Sequence, residues 1–385
     1  MIIAIPYLLL FVFYLYWSFL FRNQYASIIE INPQKIYYTD IVVIIIYLIF
    51  YGLRGFIFTD CFQYYDLFTD LYKTSSEVDY VNFTFEPGYI FCNMIIHTFT
   101  EDFFVFQFIW TLLDVVLLTK ILKRETPECF LLAFALLIPF FDGIQMNLFR
   151  NIKGILIAFY AFRYIYERNF KKYLFFIIIA TSIHISSIIF FPLYFFVGKN
   201  LRKLFVLLCA TSIVLYFSNL DFFNELFFVI GLYTGEGKID KVMNSYIESQ
   251  NGGGFTLGFV FRLLMMLALL YKYETLSKKN VIVLNVALLY LISCTAFNSI
   301  LVMRDRFGQL FALAMPCILP YVFSSIEQLQ RKRNFIIVVL LFLLGQVYVQ
   351  HNNLAAQYEN VLTGVSDRNN AQIRITEAAL EYSGE

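Results

Sequence analysis

The chain has 385 residues, of which 60% are apolar, 20% aromatic and only 15% charged, and its formal net charge is +1 at pH 7. Because soluble proteins carry about 25% charged residues, this composition excludes an ordinary soluble globular protein. The near-zero net charge gives no basis for a nucleic-acid partner.

Apolar runs of roughly 20 residues, the length that crosses a bilayer core, recur along almost the whole chain. They predict an all-α fold, a polytopic transmembrane helical bundle whose backbone polar groups are satisfied within each helix. We expect the first run to be a retained helix, because it lacks the basic n-region and the small-residue cleavage site of a signal peptide. Spans are predicted near 1–21, 39–53, 102–120, 129–147, 151–168, 204–219, 256–273, 280–300, 306–323 and 334–350.

Two apolar stretches do not fit a simple crossing. The stretch 173–197 is long for one pass and contains the polar run Thr-Ser-Ile-His-Ile-Ser-Ser, which predicts two half-helices with His184 at the turn. The stretch 87–100 is short, so we predict a re-entrant or interfacial helix there.

Lysines and arginines cluster in six loops, which the positive-inside rule places in the cytoplasm. With 173–197 going out and back, this rule predicts about 12 crossings and both ends outside. The expected organisation is one multi-span membrane domain, 1–351, with outer-face loops at about 54–86 and 221–255. A polar outer-face tail, 352–385, follows.

The six cysteines and three histidines form no metal-binding motif, so no metal site and no cofactor are expected.

Ionisable groups in or beside a bilayer are costly, so they are usually functional. On the predicted topology, most of them fall near the outer leaflet. Arginines that converge at one depth suit a diphosphate, because each guanidinium stays charged and grips two oxygens. The candidates are Arg54, Asp60, Glu86, Arg150, Lys153, His184, Arg304, Asp305 and Arg306.

Each candidate also has a structural interpretation. Arg54 suits an interfacial arginine at a helix end, whose head group reaches water. Arg150 and Lys153 lie one helical turn apart and suit membrane anchors or salt-bridge partners of Asp142. Asp114 lies in mid-helix and suits a buried structural role.

The remaining candidates have similar alternatives. At least one of Arg304 and Arg306 suits a surface position, and Arg306 is the better functional candidate because it opens an apolar run. His184 suits a structural hydrogen bond, Glu86 a carboxylate at a helix start, and Asp60 a loop cap.

Most of the candidate residues fall in four ordered blocks. These are Leu53-Arg54-Gly55 with Thr59-Asp60 and Tyr64-Tyr65-Asp66-Leu67-Phe68; Glu86-Pro87-Gly88-Tyr89; Arg150-Asn151 with His184-Ile185-Ser186-Ser187; and Arg304-Asp305-Arg306-Phe307 with Pro316 and Pro320. The ordered set, over roughly 50–325, resembles bacterial O-antigen and exopolysaccharide polymerases of the Wzy and EpsG types. The chain departs from the family pattern at Asn151, where glutamine is commoner, and at Phe58, where glycine often precedes the Thr-Asp pair.

The resemblance implies a multi-pass protein of the bacterial plasma (inner) membrane, surrounded by membrane lipid. Such proteins transfer a growing glycan from undecaprenyl diphosphate to a lipid-linked repeat unit at the outer face, without a metal. A chain-length regulator protein is a candidate partner of such an enzyme.

The same resemblance assigns roles to the candidate residues. Fixed cations must meet the developing charge of the diphosphate leaving group, and we assign this role to Arg150 and Arg306, with support from Arg54. His184 is the first candidate for the base that deprotonates the acceptor hydroxyl. The second candidates for that role are Asp60 and Glu86, which alternatively bind sugar hydroxyls; Lys153 and Arg304 are assigned to substrate binding.

Three other classes of membrane protein remain as alternatives. A flippase for lipid-linked sugar would have charges open to both sides and a hydropathy repeat, and no such repeat is present. An O-antigen ligase shares the donor and differs only in its acceptor. A membrane acyltransferase would pair a catalytic histidine with cytosolic thioester access, and the predicted outer position of His184 argues against it.

Overall fold

The computed structural model describes residues 2–22, 36–70, 85–217, 256–298 and 301–383. Within these residues the structure is helical, and the extended backbone pairs only at isolated bridges. The predicted all-α class is therefore confirmed. The outer loop predicted at 221–255, and residues 71–84 of the other, lie outside the described residues.

The helices belong to two compact units, one formed by Met1–Phe195 with Gln328–Glu385 and the other by Phe196–Glu327. The helices of the first unit are α1 (Ile5–Leu20), α2 (Tyr38–Tyr47), α3 (Asp60–Asp70), α4 (Pro87–His97), α5 (Phe103–Glu125), α6 (Phe130–Ala135), α7 (Leu137–Asn147), α8 (Asn151–Ala161), α9 (Arg163–Tyr166) and α10 (Phe170–Ile183). A short helix, α11 (Leu193–Phe196), ends at the boundary between the units. The second unit contains α12 (Arg202–Phe217), α13 (Leu257–Tyr271), α14 (Tyr273–Ala296), α15 (Leu301–Phe311) and α16 (Ala314–Ser324). The first unit is completed by α17 (Leu329–His351) and α18 (Arg368–Ser383).

Among the described residues, three helices are long and apolar enough to cross a membrane: α5, α14 and α17. The number rises to five if two bent helix pairs each count as one span. The prediction of about 12 crossings is therefore not confirmed. The sequence predicted one span for each long apolar stretch, but the structure divides some of these stretches into shorter helices. An example is the pair α6 and α7, whose axes differ in direction by 62°.

The ends of α5 follow from local sequence. Asp102 caps its first turn, because its carboxylate accepts hydrogen bonds from the N–H groups of Phe104 and Val105, at 2.7 and 3.2 Å. Lys123 and Arg124 lie in the last turn, where positive charge complements the helix dipole.

The chain reverses at His184, as the sequence predicts. Helix α10 ends at Ile183, His184 is extended, and the 3₁₀ helix Ile185–Phe190 follows. The hydroxyl of Tyr173, near the start of α10, donates to the carbonyl of Phe190 at 2.5 Å. The two arms of the segment therefore pack side by side, which leaves His184 at the tip of the hairpin.

The tail of the chain is tied to the segment 53–58, and we call 355–361 the strap. Phe58 has a φ of 60°, a left-handed conformation that costs a residue other than glycine roughly 1–2 kcal/mol. The strap holds this segment through backbone hydrogen bonds from Gly55 N–H to Glu359 (2.9 Å), from Phe58 N–H to Ala355 (2.9 Å) and from Val361 N–H to Leu53 (2.8 Å).

Side chains of the strap and of α18 strengthen this attachment. Tyr358 stacks on Phe50, with ring centroids 4.3 Å apart. Arg368 donates two hydrogen bonds to the carboxylate of Asp66, at 2.9 and 2.6 Å. Ala371 joins a buried aromatic cluster with residues of α3, α4 and α5. The tail is thus a packed part of the first unit.

In the second unit, α14 is the central helix. Asn285 on α14 accepts a hydrogen bond from Tyr273 at 2.6 Å and donates to the carbonyls of Val197 and Lys199, at 2.7 and 2.9 Å. Its far end packs closely on α15, because a Cβ at Gly308 would lie 2.6 Å from the sulfur of Cys294. This close approach fixes the second half of α15 beside the end of α14.

Candidate functional site

Glu86 is positioned by the start of α4. Pro87 occupies the first turn of that helix, and Glu86 precedes it with an extended backbone (φ −71°, ψ 147°). Its side chain makes no capping hydrogen bond to α4. Glu86 therefore lies at a helix start, as one interpretation of the sequence has it, but its carboxylate hydrogen-bonds to other elements.

Two glycines bring those elements together. A Cβ at Gly88 would lie 2.7 Å from the carbonyl oxygen of Ser182, so α4 and α10 can approach this closely only without a side chain there. A Cβ at Gly154 would lie 2.2 Å from the hydroxyl of Ser187 and 3.5 Å from the Cβ of His184. The hairpin tip is thus packed against both α4 and the first turns of α8.

The carboxylate of Glu86 is shared by three donors, two from the hairpin tip and one from the start of α8. One oxygen lies 2.9 Å from Nδ1 of His184 and 3.0 Å from the backbone N of Ile185. The other oxygen accepts from the guanidinium of Arg150 at 2.6 Å. We call Glu86, Arg150 and His184 the carboxylate–histidine cluster.

The charge state of Glu86 decides which nitrogen of His184 carries the proton. Burial raises the pKa of the Glu86 carboxyl, but hydrogen bonds from His184 and the Ile185 N–H, together with the charge of Arg150, outweigh burial and lower it to about 2. An ionised carboxylate only accepts hydrogen bonds, so Nδ1 of His184 is the donor. Nε2 of the neutral ring is then left as a proton acceptor.

Arg150 is held in place from several sides. Its guanidinium lies over the ring of Phe85, 4.8 Å from the centroid, and it hydrogen-bonds with the side chain of Tyr64. Asp60, at the start of α3, lies within electrostatic range of Tyr64. Although it is held in this way, Arg150 remains partly accessible, because 21% of its side chain is exposed.

The residue after Arg150 also contacts the hairpin tip. The amide oxygen of Asn151 accepts a hydrogen bond from the hydroxyl of Ser186 at 3.2 Å. This contact gives a role to the position at which the chain departs from the family pattern. Tyr64 and Ser186 were not among the candidate site residues, and only their positions inside the family blocks signalled them.

Arg54 and Lys153 lie deeper. The side chain of Lys153 is 3% exposed and pairs with Asp114 at 2.5 Å, which agrees with the buried structural role expected for Asp114. Arg54 is 3% exposed and donates to the carbonyls of Tyr51 and Met146, at 2.5 and 3.4 Å. Its predicted reach into water is therefore wrong; substrate binding by Arg54 and Lys153 stays a prediction.

Asp142 pairs with neither of the cations suggested by the sequence. Its carboxylate lies 2.5 Å from Nε2 of His351 and accepts a hydrogen bond from the hydroxyl of Tyr51. Sequence spacing had pointed to Arg150 and Lys153, but Glu86 and Asp114 are their partners. The two pairs could not be predicted because each joins positions far apart in the chain.

Arg304 and Arg306 belong to the second unit. Arg304 pairs with its neighbour Asp305 at 2.9 Å. Arg306 is exposed, and it has no ion pair with the residues that the structure describes. Their roles in substrate binding and catalysis stay predictions.

The carboxylate–histidine cluster combines an oriented imidazole with a neighbouring guanidinium. Such a pair can accept a proton from a hydroxyl at Nε2 of His184 and stabilise an anion at Arg150. Among the described residues, no group of histidine, cysteine and carboxylate side chains is arranged to hold a metal ion.

The chain matches the sequence model of one protein family, the EpsG family, over residues 37–360. No curated protein matches it, and no solved structure matches it.

Proposed function

This chain belongs to the EpsG family, and from that premise we propose that it is a polysaccharide polymerase. It transfers a glycan from undecaprenyl diphosphate to a lipid-linked repeat unit. The family supports membrane-bound polysaccharide synthesis in general, and the apolar helices agree with a membrane location. The observation that carries the specific reaction is the hydrogen bond between Glu86 and Nδ1 of His184.

The proposed transfer begins at the acceptor sugar. Its hydroxyl oxygen attacks the anomeric carbon of the donor glycan, and the bond between that carbon and the diphosphate oxygen breaks. The hydroxyl proton moves to Nε2 of His184, while Glu86 holds the ring and stabilises the imidazolium that forms. The glycan is then attached to the acceptor, and the lipid diphosphate leaves with the bonding electrons.

The leaving diphosphate gains negative charge as the bond breaks. Arg150 supports its departure because its guanidinium is partly accessible and can donate two parallel hydrogen bonds to phosphate oxygens. Arg306 is proposed as a further catalytic residue, and Asp60 as an alternative base. Arg54, Lys153 and Arg304 bind substrate.

The proposed setting is the outer face of the bacterial inner membrane. Its partners are the undecaprenyl-diphosphate-linked oligosaccharide, membrane lipid and a chain-length regulator protein. No metal is needed in this scheme, because guanidinium groups supply the positive charge at the leaving group.

Two alternatives share the same substrate chemistry. A flippase would move the lipid-linked oligosaccharide without breaking a bond, and an O-antigen ligase would transfer the finished glycan to another acceptor. The polymerase is favoured over the flippase because the hydrogen-bonded Glu86–His184 pair has the arrangement of a general base and its orienting group.

The function is tested by deleting the gene in its host and separating surface and lipid-linked glycans by gel electrophoresis. We expect the long ladder to disappear while a single repeat unit remains displayed outside, and the intact gene to restore the ladder. Units trapped on the cytoplasmic side would indicate a flippase. A complete ladder left on the carrier lipid would indicate a ligase.

Gly88→Ala tests whether the close approach of α4 and α10 supports the reaction. The new Cβ would lie 2.7 Å from the Ser182 carbonyl oxygen, so the helices must separate and Glu86 must move from His184. Because misplacement by about 1 Å can cost about a hundredfold in rate, we expect polymer yield to fall at least about tenfold. The yield is measured on the same gels, at matched protein levels.

Gly345→Ala is the matched control for this substitution. Its added Cβ would meet nothing within 4 Å, so polymer yield should stay at the wild-type level. Equal yields from Gly88→Ala and Gly345→Ala would show that the helix approach at Gly88 is not needed.

A further inference from the structure

Arg262 is a charged residue in the apolar helix α13 of the second unit. Its guanidinium points back along the helix, because Nη1 would lie 3.6 Å from a Cβ placed at Gly258 in the first turn. The positive charge therefore lies beside the N-terminus of α13, where the helix dipole is also positive. The dipole disfavours a cation at this position, and an anion beside it would offset that effect.

The hydrogen bonds of Arg262 leave much of its guanidinium unused. One Nη donates to the amide oxygen of Asn298 at 3.0 Å, and the buried Nε has no partner among the residues that the structure describes. Within the same residues, no carboxylate forms an ion pair with it. The contrast is with Arg150 and Arg368, which each pair with a carboxylate at 2.6 Å.

A second arginine of the same unit lies nearby. Arg262 bonds to Asn298, one helical turn after Cys294. Arg304 lies one helical turn before Gly308, which packs on the sulfur of Cys294. These two contacts place the arginines on neighbouring turns, where their charges repel. Arg304 pairs with Asp305, but that carboxylate is 54% exposed, so the pair contributes little.

We propose that Arg262 and Arg304 form a second anion-binding site, whose ligand is the diphosphate of a lipid-linked sugar. The site lies at the end of α14, where Asn298 accepts the hydrogen bond from Arg262. Within the described residues neither guanidinium pairs with a buried carboxylate. Such a pair of groups matches a diphosphate, because each can donate two hydrogen bonds to its oxygens. A bound diphosphate also removes the repulsion between the two arginines.

This inference rests on the proposed function, because that reaction uses two substrates and each carries a lipid diphosphate. The carboxylate–histidine cluster of the first unit has one accessible guanidinium, that of Arg150. The second unit then supplies the site for the other diphosphate. Arg262 thus becomes a substrate-binding residue that no family block contains.

The test counts the ligands bound to the purified full-length protein by native mass spectrometry in detergent, with undecaprenyl diphosphate as the probe. We expect two per chain in the wild type and one per chain in Arg262→Gln. Titration should show the affinity of that site falling at least about tenfold, as expected for the loss of a charged hydrogen-bond donor. Arg262→Lys keeps the positive charge but loses the paired N–H donors of the guanidinium. Its affinity for the lipid should lie between those of the wild type and Arg262→Gln.

Arg202→Gln is the matched control, because Arg202 lies in the same unit and is 46% exposed, 3.9 Å from Glu274. It should bind two ligands. Inorganic pyrophosphate is the second probe: competition with the lipid at the Arg262-dependent site supports recognition of the diphosphate itself. Two ligands in Arg262→Gln, with unchanged affinities, would overturn the proposal.

Binding is measured without turnover, so the two hypotheses fail separately. If gene deletion leaves the glycan ladder intact while Arg262→Gln still removes one bound diphosphate, the polymerase proposal fails and the site stands. If the deletion removes the ladder and Arg262→Gln binds as the wild type does, the site fails and the polymerase stands.

Discussion

Replacing His184 with alanine should reduce polymer synthesis by at least about a hundredfold, the low end of what a general base contributes. The variant keeps the hairpin tip but removes the first candidate for the base that takes the proton of the acceptor hydroxyl. The measurement is the glycan ladder in a deletion strain that expresses each variant at the wild-type level. A full-length ladder from His184→Ala would exclude His184 as the base.

Glu86→Gln tests how His184 is oriented. Glutamine keeps the size of the side chain, but its NH₂ group donates where the carboxylate accepted, so Nδ1 of His184 would have to lose its proton. The proton acceptor at Nε2 would then be lost, and Arg150 would lack its partner. We expect a loss of at least about tenfold, because an incorrect tautomer severely impairs a histidine base.

Glu101→Gln is the matched control, since Glu101 is exposed in the loop before α5 and lies outside the cluster. Its ladder should equal that of the wild type. If Glu86→Gln and Glu101→Gln gave equal ladders, the orienting role of Glu86 would be wrong.

The pH dependence of stability provides a separate test of Glu86. Its pKa is lowered from 4.5 to about 2 in the folded protein, so its contribution to stability is complete above pH 4.5 and is lost as the pH falls through about 2. The stability difference between the wild type and Glu86→Gln should therefore be constant between pH 7 and about 5, and should narrow in stronger acid. Denaturant titration in detergent at each pH measures the two free energies of unfolding. If their difference already narrowed near pH 6, the low pKa of Glu86 would be contradicted.

Lys153→Met should be among the most destabilising single substitutions in the first unit. Asp114 and Lys153 are 2% and 3% exposed and lie 2.5 Å apart. Removing one partner of such a buried pair leaves an uncompensated charge and costs about 3–5 kcal/mol. The free energy of unfolding, measured by denaturant titration in detergent, should fall by that amount, whereas the exposed Lys171→Met should change it by less than about 0.5 kcal/mol.

The double variant Asp114→Asn/Lys153→Met separates structure from substrate binding. It removes both charges, and the new amide oxygen can still accept the hydrogen bond that Gln145 donates to Asp114 at 3.2 Å. Most of the lost stability should return. If polymer synthesis returns with it, Lys153 is structural; if synthesis stays low in the stable double variant, Lys153 binds substrate.

Much of the local structure could be predicted from the sequence, because it depends on neighbouring residues. The polar run around His184 predicted the break between half-helices, and the apolar runs predicted the all-helical class. The number of crossings was not confirmed, because an apolar window cannot distinguish one long helix from two shorter helices at an angle, such as α6 and α7.

The partners of the charged residues could not be predicted in the same way. Glu86 and His184 are 98 positions apart, and only the packing at Gly88 and Gly154 brings them together. Spacing suggested Asp142 for Lys153, since nothing local identifies Asp114 as its partner. Arg262 was missed because a single arginine in an apolar helix has no pattern; only its unused Nε and the nearby Arg304 mark it.

The strap has a consequence for how the protein is made. Tyr358 donates a hydrogen bond to the carbonyl of Phe50, 308 positions earlier, so the segment 53–58 is synthesised long before the strap that supports it. Until residues 355–361 have left the ribosome, the N–H groups of Gly55 and Phe58 lack their partners in the strap. Chains that stop before 355 would keep every predicted site residue and still leave this segment without its support.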